Sequence, residues 1–167
     1  AREFLIGVTN FFRDSHVWDK LESKIIPELV ASKKDNDVLK VWCVGTSTGE
    51  EAYSMAMLIH EEVNRQDKKL RVKIFATDLA MNHLDIGSKG LYPESIVANV
   101  SPLRLRKFFV RRGDEYQVND NLRKMVIFSQ NNVLKDPPFN KMDIAVCRNL
   151  LIYLQHPAQR KVIGLLH

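Results

Sequence analysis

A chain of 167 residues, with 45% hydrophobic and 27% charged side chains, has the size and composition of about one globular domain with a real core. No apolar run approaches the roughly 20 residues that span a bilayer, so no membrane insertion is expected, and no signal-peptide pattern opens the chain. The two cysteines exclude a disulfide scaffold and point to a reducing cytoplasm, while the net charge of +5 fits a solvated surface, an acidic protein partner or nucleic acid, basic balance alone being weak evidence.

From residue 14 to 31, apolar positions at Trp18, Leu21, Ile25, Ile26, Leu29 and Val30 share one helical face. Pro27 either kinks that helix or restarts it as a first-turn residue. A charged loop, Ser32 to Asp37, leads to the near-continuous apolar run Val38 to Val44, the pattern of a strand covered on both faces. Residues Glu50 to about Arg65 read as a helix. Leu70, Val72 and Ile74 alternate into a second strand that ends at Thr77-Asp78, and Ala80 to Ser88 reads as a short helix ending near Gly87 and Gly90.

From Leu91 to Asn121 the strand–helix rhythm breaks, and a small inserted subdomain is expected there. Ser101-Pro102 is a helix start, with serine as cap and proline in the first turn. A turn at Arg111-Arg112-Gly113-Asp114 and a short strand at Glu115 to Val118 follow. Met125 to Phe128 and Ile144 to Cys147 are two more core strands, with Asp136-Pro137-Pro138 in the loop between them, and Pro157 to Leu166 reads as a final helix. Cys43 and Cys147 are expected on neighbouring strands as buried thiols. The alternation predicts an α/β fold, a parallel sheet with helices on both faces. Residues 1–37 form a linker and helix ahead of the main domain at 38–167.

Ligands of such sheets bind at the carboxyl ends of the strands. Here those ends carry Gly45 to Glu51, Asp78, Asn131-Asn132 and Arg148-Asn149, and four polar ends together say more than any one. The stretch Val44-Gly45-Thr46-Ser47-Thr48-Gly49-Glu50-Glu51 is a strand, a small-residue loop and a helix start. Folds that hold phosphate keep this place neutral or basic, because the helix N-terminus attracts anions. Glu50 and Glu51 would repel a pyrophosphate and suit a ligand with positive charge, such as the ammonium and sulfonium of S-adenosyl-L-methionine. The loop lacks both the dinucleotide fingerprint and a P-loop lysine. Thr48 and Glu51 also fit a capping box.

Asp78 can accept both hydroxyls of a ribose or cap the next helix. Asn132 and Asn149 can donate and accept at an adenine edge or a carboxylate, or simply serve turns. In Thr9-Asn10-Phe11-Phe12-Arg13-Asp14 the two phenylalanines would pack, leaving Arg13 to face a cleft or to pair with Asp14. The histidines lack metal-ligand spacing, and no metal is proposed. A nicotinamide oxidoreductase is disfavoured by Glu50 and Glu51. Nucleic-acid amino methylation is disfavoured because Asp136-Pro137-Pro138-Phe139 precedes a strand rather than ending one.

Taken together, Thr9-x-Phe11-Phe12-Arg13, Ser47-Thr48-Gly49-Glu50-Glu51-x-Tyr53-Ser54, Ala76-Thr77-Asp78, Phe128-Ser129-x-x-Asn132 and Cys147-Arg148-Asn149-Leu150-Leu151-Ile152-Tyr153 resemble the catalytic domain of the CheR-type chemotaxis receptor methyltransferases. The blocks follow the family's order and spacing across nearly the whole chain. The resemblance implies a Rossmann-like class I methyltransferase sheet, S-adenosyl-L-methionine as cofactor and S-adenosyl-L-homocysteine as product. It implies methylation of glutamate side chains on cytoplasmic helices of chemoreceptors, giving glutamate methyl esters. By that resemblance Glu51 binds the methionine amino group and Asp78 the ribose. Gly45 belongs to the cofactor loop, Asn132 with Val133 sits by the adenine, and Asn149 with Leu150 closes the site. Thr9 and Arg13 lie near the methyl group, Arg13 orients the substrate carboxylate, and Tyr153 borders the same cleft.

Ala52 stands where the family commonly has proline, and Gly7 where some members place a cofactor-contacting asparagine. The wording Asn149 to Leu154 resembles multidomain members fused to methylesterase and sensor modules. The turn at Gly113 is shorter than in members that dock a receptor's C-terminal peptide, which implies independence from that peptide. The family's N-terminal helical domain and final strands are not in the sequence, so a fragment with an exposed sheet edge is expected. The alternative from a different class is a non-catalytic S-adenosyl-L-methionine-binding or scaffold module of a larger signalling protein.

Overall fold

A computed structural model describes residues 10–13, 15–130, 142–147, 150–156 and 159–165. The first helical run comprises α1 (Ser15–Lys20), a π turn (Leu21–Ile25) and α2 (Ile26–Ser32). The expected face is the buried one: Trp18, Leu21, Ile25, Ile26, Leu29 and Val30 all lie in the core. Pro27 falls in the first turn of α2. It has no N–H to donate, so a rung of the helix is lost there, and the π turn just ahead lets the run restart rather than end.

Strand β1 (Val38–Val44), helix α3 (Glu50–Arg65), strand β2 (Arg71–Asp78) and helix α4 (Met81–Lys89) follow in alternation. After the second sheet described below come β6 (Val126–Gln130), β7 (Ile144–Cys147), β8 (Leu150–His156) and β9 (Gln159–Leu165). The main sheet has the order β6-β2-β1-β7-β8-β9. The first four strands are parallel, and β8 and β9 add on antiparallel. The chain therefore steps outward from β1 to β2 and β6, then returns to the other side of β1 as β7. That reversal is the topological switch at which open α/β sheets bind ligands.

Leu39, Val41, Cys43, Ile74, Ala76, Ile144 and Val146 line one face of the sheet and share a core with α1 to α3. Trp42, Met142 and Ala145, with Val44 and Phe75, form a smaller cluster on the other. Among the described residues, the helices pack on the first face. There α3 and α4 meet closely: Tyr53 Oη donates to Gly87 O at 2.6 Å, and a Cβ at Gly49 would lie 3.1 Å from Gly87 Cα. Helix α4 ends where expected, near Gly87 and Gly90, with Gly87 in its last turn. Gly90 closes it in the left-handed conformation at φ 66°.

A second, three-stranded antiparallel sheet of order β3-β5-β4 comprises β3 (Leu91–Pro93), β4 (Phe109–Arg112) and β5 (Glu115–Val118). Helix α5 (Pro102–Phe108) begins as expected, with Ser101 Oγ accepting from Arg104 N–H at 3.2 Å. Gly113 (φ 63°) and Asp114 make the two-residue connection of β4 and β5, with positive φ only at its first position, as in a type II′ hairpin. Helix α6 (Asp120–Arg123), capped by Asn119, leads into β6. Arg104 anchors this unit: its guanidinium donates to Glu61 at 2.8 and 2.9 Å and to Glu22 at 3.0 Å, and lies 4.7 Å over the Phe12 ring.

One expectation needs correcting. Where Pro157 to Leu166 reads as a helix, the structure has β9, paired with β8 so that Val162 lies opposite Ile152 and Leu165 opposite Leu150. Ten residues with β-branched members favour neither state strongly, and pairing along β8 satisfies backbone groups that a bare edge would leave open. No helix among the described residues is long and apolar enough to cross a membrane.

A Cβ at Gly87 would lie 2.5 Å from Phe128 Cε1, which requires the ring to move. We expect Gly87→Ala to destabilise the domain by about 1–3 kcal/mol through overpacking. Thermal unfolding should show Gly87→Ala melting several degrees lower and the double variant Gly87→Ala/Phe128→Leu recovering part of the loss. An unchanged melting temperature would refute this close packing.

Candidate functional site

The registers bring the strand ends to one edge. Val44 pairs with Thr77 and with Cys147, and Asp78 pairs with Gln130. As expected for neighbouring strands, Cys43 lies opposite Val146 and Cys147 opposite Val44. Cys43 is fully buried, and that burial, with the nearby Glu51 charge, pushes its thiol well above the ordinary range. It therefore stays a protonated core residue, in keeping with a structural thiol.

Between β1 and α3 the chain turns through three left-handed residues: Gly45 (φ 67°), Ser47 (φ 55°) and Gly49 (φ 97°). Four hydrogen bonds hold this shape. Thr46 N–H donates to Thr77 O (2.9 Å), Ser47 N–H to Asp78 Oδ2 (2.8 Å) and Gly49 N–H to Thr46 O (3.1 Å), and Thr48 O accepts from Tyr92 Oη (2.7 Å). The Trp42 indole donates to Thr77 Oγ1 at 2.9 Å, bracing the end of β2 from the other face. The α3 N-cap is Gly49 with no side-chain cap, so the expected capping box of Thr48 with Glu51 is not formed. Thr48 Oγ1 instead donates to Glu50 Oε1.

Asp78 does not cap α4, whose N-cap is Ala80 without a side-chain bond. Its Oδ2 accepts from Ser47 N–H and its Oδ1 from Ala80 N–H, at 2.8 and 2.9 Å. Each carboxylate oxygen has two lone pairs and gives one to the backbone, so acceptor capacity remains on both. Glu50 and Glu51 open α3, where the helix dipole favours negative charge. Burial raises the Glu50 carboxyl above its ordinary range, partly offset by the Thr48 hydroxyl and the His83 charge.

Arg13 lies one residue beyond Phe12, whose N–H donates to Ser54 Oγ of α3 at 3.0 Å. That bond sets Arg13, which is exposed, beside the first turns of α3. Phe11 packs inward, edge-on to Tyr92 (5.0 Å) and Phe109 (5.7 Å), and Phe12 packs edge-on to Trp18 (5.7 Å), so both phenylalanines pack as expected. Thus Gly45, Glu51, Asp78 and the Arg13 turn lie at or beside the start of α3. Leu150 is opposite Cys147 at the same edge, whereas Tyr153 is opposite Ile144, three pairings back along the strand. Thr9, Asn132, Val133 and Asn149 lie outside the described residues, as do Asn131, Arg148 and the Asp136-Pro137-Pro138 loop.

Sequence reasoning missed Tyr92, the left-handed Ser47 and the burial of Glu50. It also missed Thr46 Oγ1, which is buried with no hydrogen-bond partner among the described residues.

Residues 7–167 match the family described as CheR methyltransferase, SAM binding domain. The chain belongs to this family. It is 36% identical over 160 residues to "Chemotaxis protein methyltransferase 1" of Vibrio cholerae, covering 93% of this chain and 57% of that protein. It is 33% identical over 159 residues to "Chemotaxis protein methyltransferase" of Borreliella burgdorferi, covering 92% and 56%. An "Uncharacterized 104.1 kDa protein in hypE 3′ region" of Rhodobacter capsulatus is 39% identical over 166 residues, covering 99% of this chain and 17% of that protein. The chain thus spans just over half the length of the two chemotaxis methyltransferases.

S-adenosyl-L-methionine is therefore the cofactor, and the residues present fit it. At Gly45 no atom lies within 4 Å of where a Cβ would stand, so the loop backbone is open to a ligand. The acidic helix start suits an ammonium group, and Asp78 keeps lone pairs for hydroxyls.

The raised Glu50 carboxyl has a measurable consequence. In the unfolded chain it titrates at the ordinary glutamate value, about 4.3. Its stabilising contribution is complete below that pH and is lost as pH rises through the higher folded value. Denaturant midpoints at pH 4 and pH 7 should therefore show Glu50→Gln gaining on the parent chain as pH rises. A gap that does not change with pH would mean that the folded carboxyl is not perturbed.

Proposed function

We propose that this chain is the methyl-transferring domain of a protein-glutamate O-methyltransferase that acts on cytoplasmic helices of chemoreceptors. The observation that carries the reading is the coincidence of the family match over residues 7–167 with an acidic helix start, Glu50 and Glu51, and Asp78 at the carboxyl edge of the switch point. The relatives' names supply the chemotaxis context. Residues 38–167 form the transferring domain, with 91–121 inserted, and 1–37 precede it as linker and helix. The protein works in the cytoplasm and engages neither nucleic acid nor the membrane interior. The low share of the 104.1 kDa relative that is covered fits a domain fused to methylesterase or sensor modules.

In this reading Glu51 holds the methionine ammonium, and Asp78 takes the ribose hydroxyls on the lone pairs left by Ser47 and Ala80. Gly45 lets the ligand lie against the loop. Asn132 and Val133 border the adenine, Asn149 and Leu150 close the site, and Thr9 flanks the methyl group. The resemblance alone carries the role of Tyr153 beside the substrate.

When bound, the cofactor supplies the methyl group as a sulfonium. The substrate glutamate needs no base, since a carboxyl of pKa about 4.3 is ionised at neutral pH. The sulfonium would supply both the methyl carbon for the carboxylate oxygen and a sulfur to take the electron pair, so no residue of this chain need move a proton. The protein's task is then alignment. Arg13 is the group we assign to the substrate carboxylate, because the Phe12–Ser54 bond holds its turn against the start of α3.

Two variants of the intact protein test this assignment. Asp78→Ala should weaken S-adenosyl-L-homocysteine binding in calorimetry by at least about tenfold, the scale of lost hydrogen bonds to a charged group. Arg13→Ala should lower the rate of base-labile methyl ester formation on receptor by about 10²-fold, the scale of lost alignment, with cofactor affinity kept. An undiminished rate at saturating receptor would remove Arg13 from the chemistry. The two-residue turn at Gly113 supports a rate independent of the receptor's C-terminal peptide, and a rate that falls when that peptide is deleted would contradict it.

A further inference from the structure

The second sheet reaches the cofactor loop through one side chain. Tyr92, in β3, is only 2% exposed, and its hydroxyl donates to Thr48 O at 2.7 Å. Its ring meets Phe11 edge-on at 5.0 Å and Tyr53 at 6.3 Å. It therefore touches the loop after β1, the turn that carries Arg13 and the first turn of α3 at once. Glycine at residue 49 leaves room for this approach: a Cβ there would lie 3.0 Å from Tyr92 Oη.

We propose that Tyr92 is a positioning residue for the cofactor, its hydroxyl holding Thr48 O so that the Gly45–Gly49 loop keeps the shape that presents the start of α3 to the ligand. The proposal rests on the cofactor site assigned above and adds a dependence of that site on the second sheet. The loop needs such a hold. Ser47 sits at φ 55°, a conformation that a non-glycine residue keeps only when its surroundings over-determine it. The bonds of Thr46 and Ser47 N–H tie the front of the loop to β2, and Gly49 N–H bonds within the loop. Thr48 O is the point at which the second sheet holds it. The donor also stays available: burial, with the Glu50 carboxyl and Tyr53 nearby, pushes the Tyr92 phenol well above its ordinary range, so it remains O–H at every working pH.

Tyr92→Phe removes the donor and keeps the ring contacts. In the intact protein we expect S-adenosyl-L-homocysteine to bind roughly five- to tenfold more weakly, the scale of one net hydrogen bond. KM for S-adenosyl-L-methionine should rise by the same factor while kcat and KM for receptor stay put. Calorimetric stoichiometry separates this from a merely structural role, since partial unfolding lowers the number of sites without changing their affinity. Tyr116→Phe, in the same small sheet, is the control and should bind as the parent does. Phe11→Leu keeps the hydroxyl but loosens the ring wall, and should raise the dissociation constant by a smaller factor, so the idea stays testable if Tyr92→Phe does not fold. Parental affinity in Tyr92→Phe, with Asp78→Ala weakened, would overturn the proposal. Failure of the parent to bind, or undiminished binding by Asp78→Ala, would instead overturn the site assignment beneath it.

Discussion

The backbone between β1 and α3 reverses through Gly45, Ser47 and Gly49, all at positive φ, within five residues. L-residues avoid that region at about 1–2 kcal/mol each, so Ser47 stays there only because its N–H finds Asp78 and its neighbours are bonded too. Much else follows from this turn. It aims α3 so that Glu50 and Glu51 open the helix at the carboxyl edge, and it brings the end of β2 within one hydrogen bond of the end of β1. The turn also engages Asp78, whose Oδ2 accepts from Ser47 N–H and whose Oδ1 accepts from Ala80 N–H.

The turn is fixed from three directions. β2 holds it through Thr77 and Asp78, and the second sheet holds it through Tyr92. From below, α4 closes in: Gly49 and Gly87 carry no side chains, so the two helices and the Phe128 ring come into contact distance, and Tyr53 bonds across to Gly87 O. Interiors packed at this density transmit small volume changes. That is how Gly87, in the last turn of α4, is coupled by packing to the loop before α3.

Charge is what suits such a site to a cation. Partial burial of a carboxyl is costly, yet Glu50 sits where the α3 dipole favours negative charge and where Thr48 donates to it. A nucleotide phosphate would meet repulsion at the same place. On the outer side, Arg104 joins Glu22, Glu61 and the Phe12 ring, so the turn bearing Arg13 is held by α1–α2, α3 and α5 together.

The elements built on local pattern were legible in the sequence. β1 and α3 occupy the residues that their hydrophobic run and periodicity mark, with Glu50 and Glu51 opening α3, and the Ser101-Pro102 start of α5 follows cap chemistry. Each of these depends on contacts within a few residues along the chain. Other features depended on partners far away in sequence, and only the tertiary structure decided them. Gly87 lies near the helix end, as read, but its close packing is set by what it meets, Phe128 and Gly49, which lie 41 and 38 residues distant. Residues 159–165 read as a helix and become a strand, because pairing with β8 outweighs a weak local preference. Tyr92 carries no local mark of its role, since its partner, Thr48 O, is a backbone atom 44 residues away and a backbone carbonyl leaves no trace in a sequence.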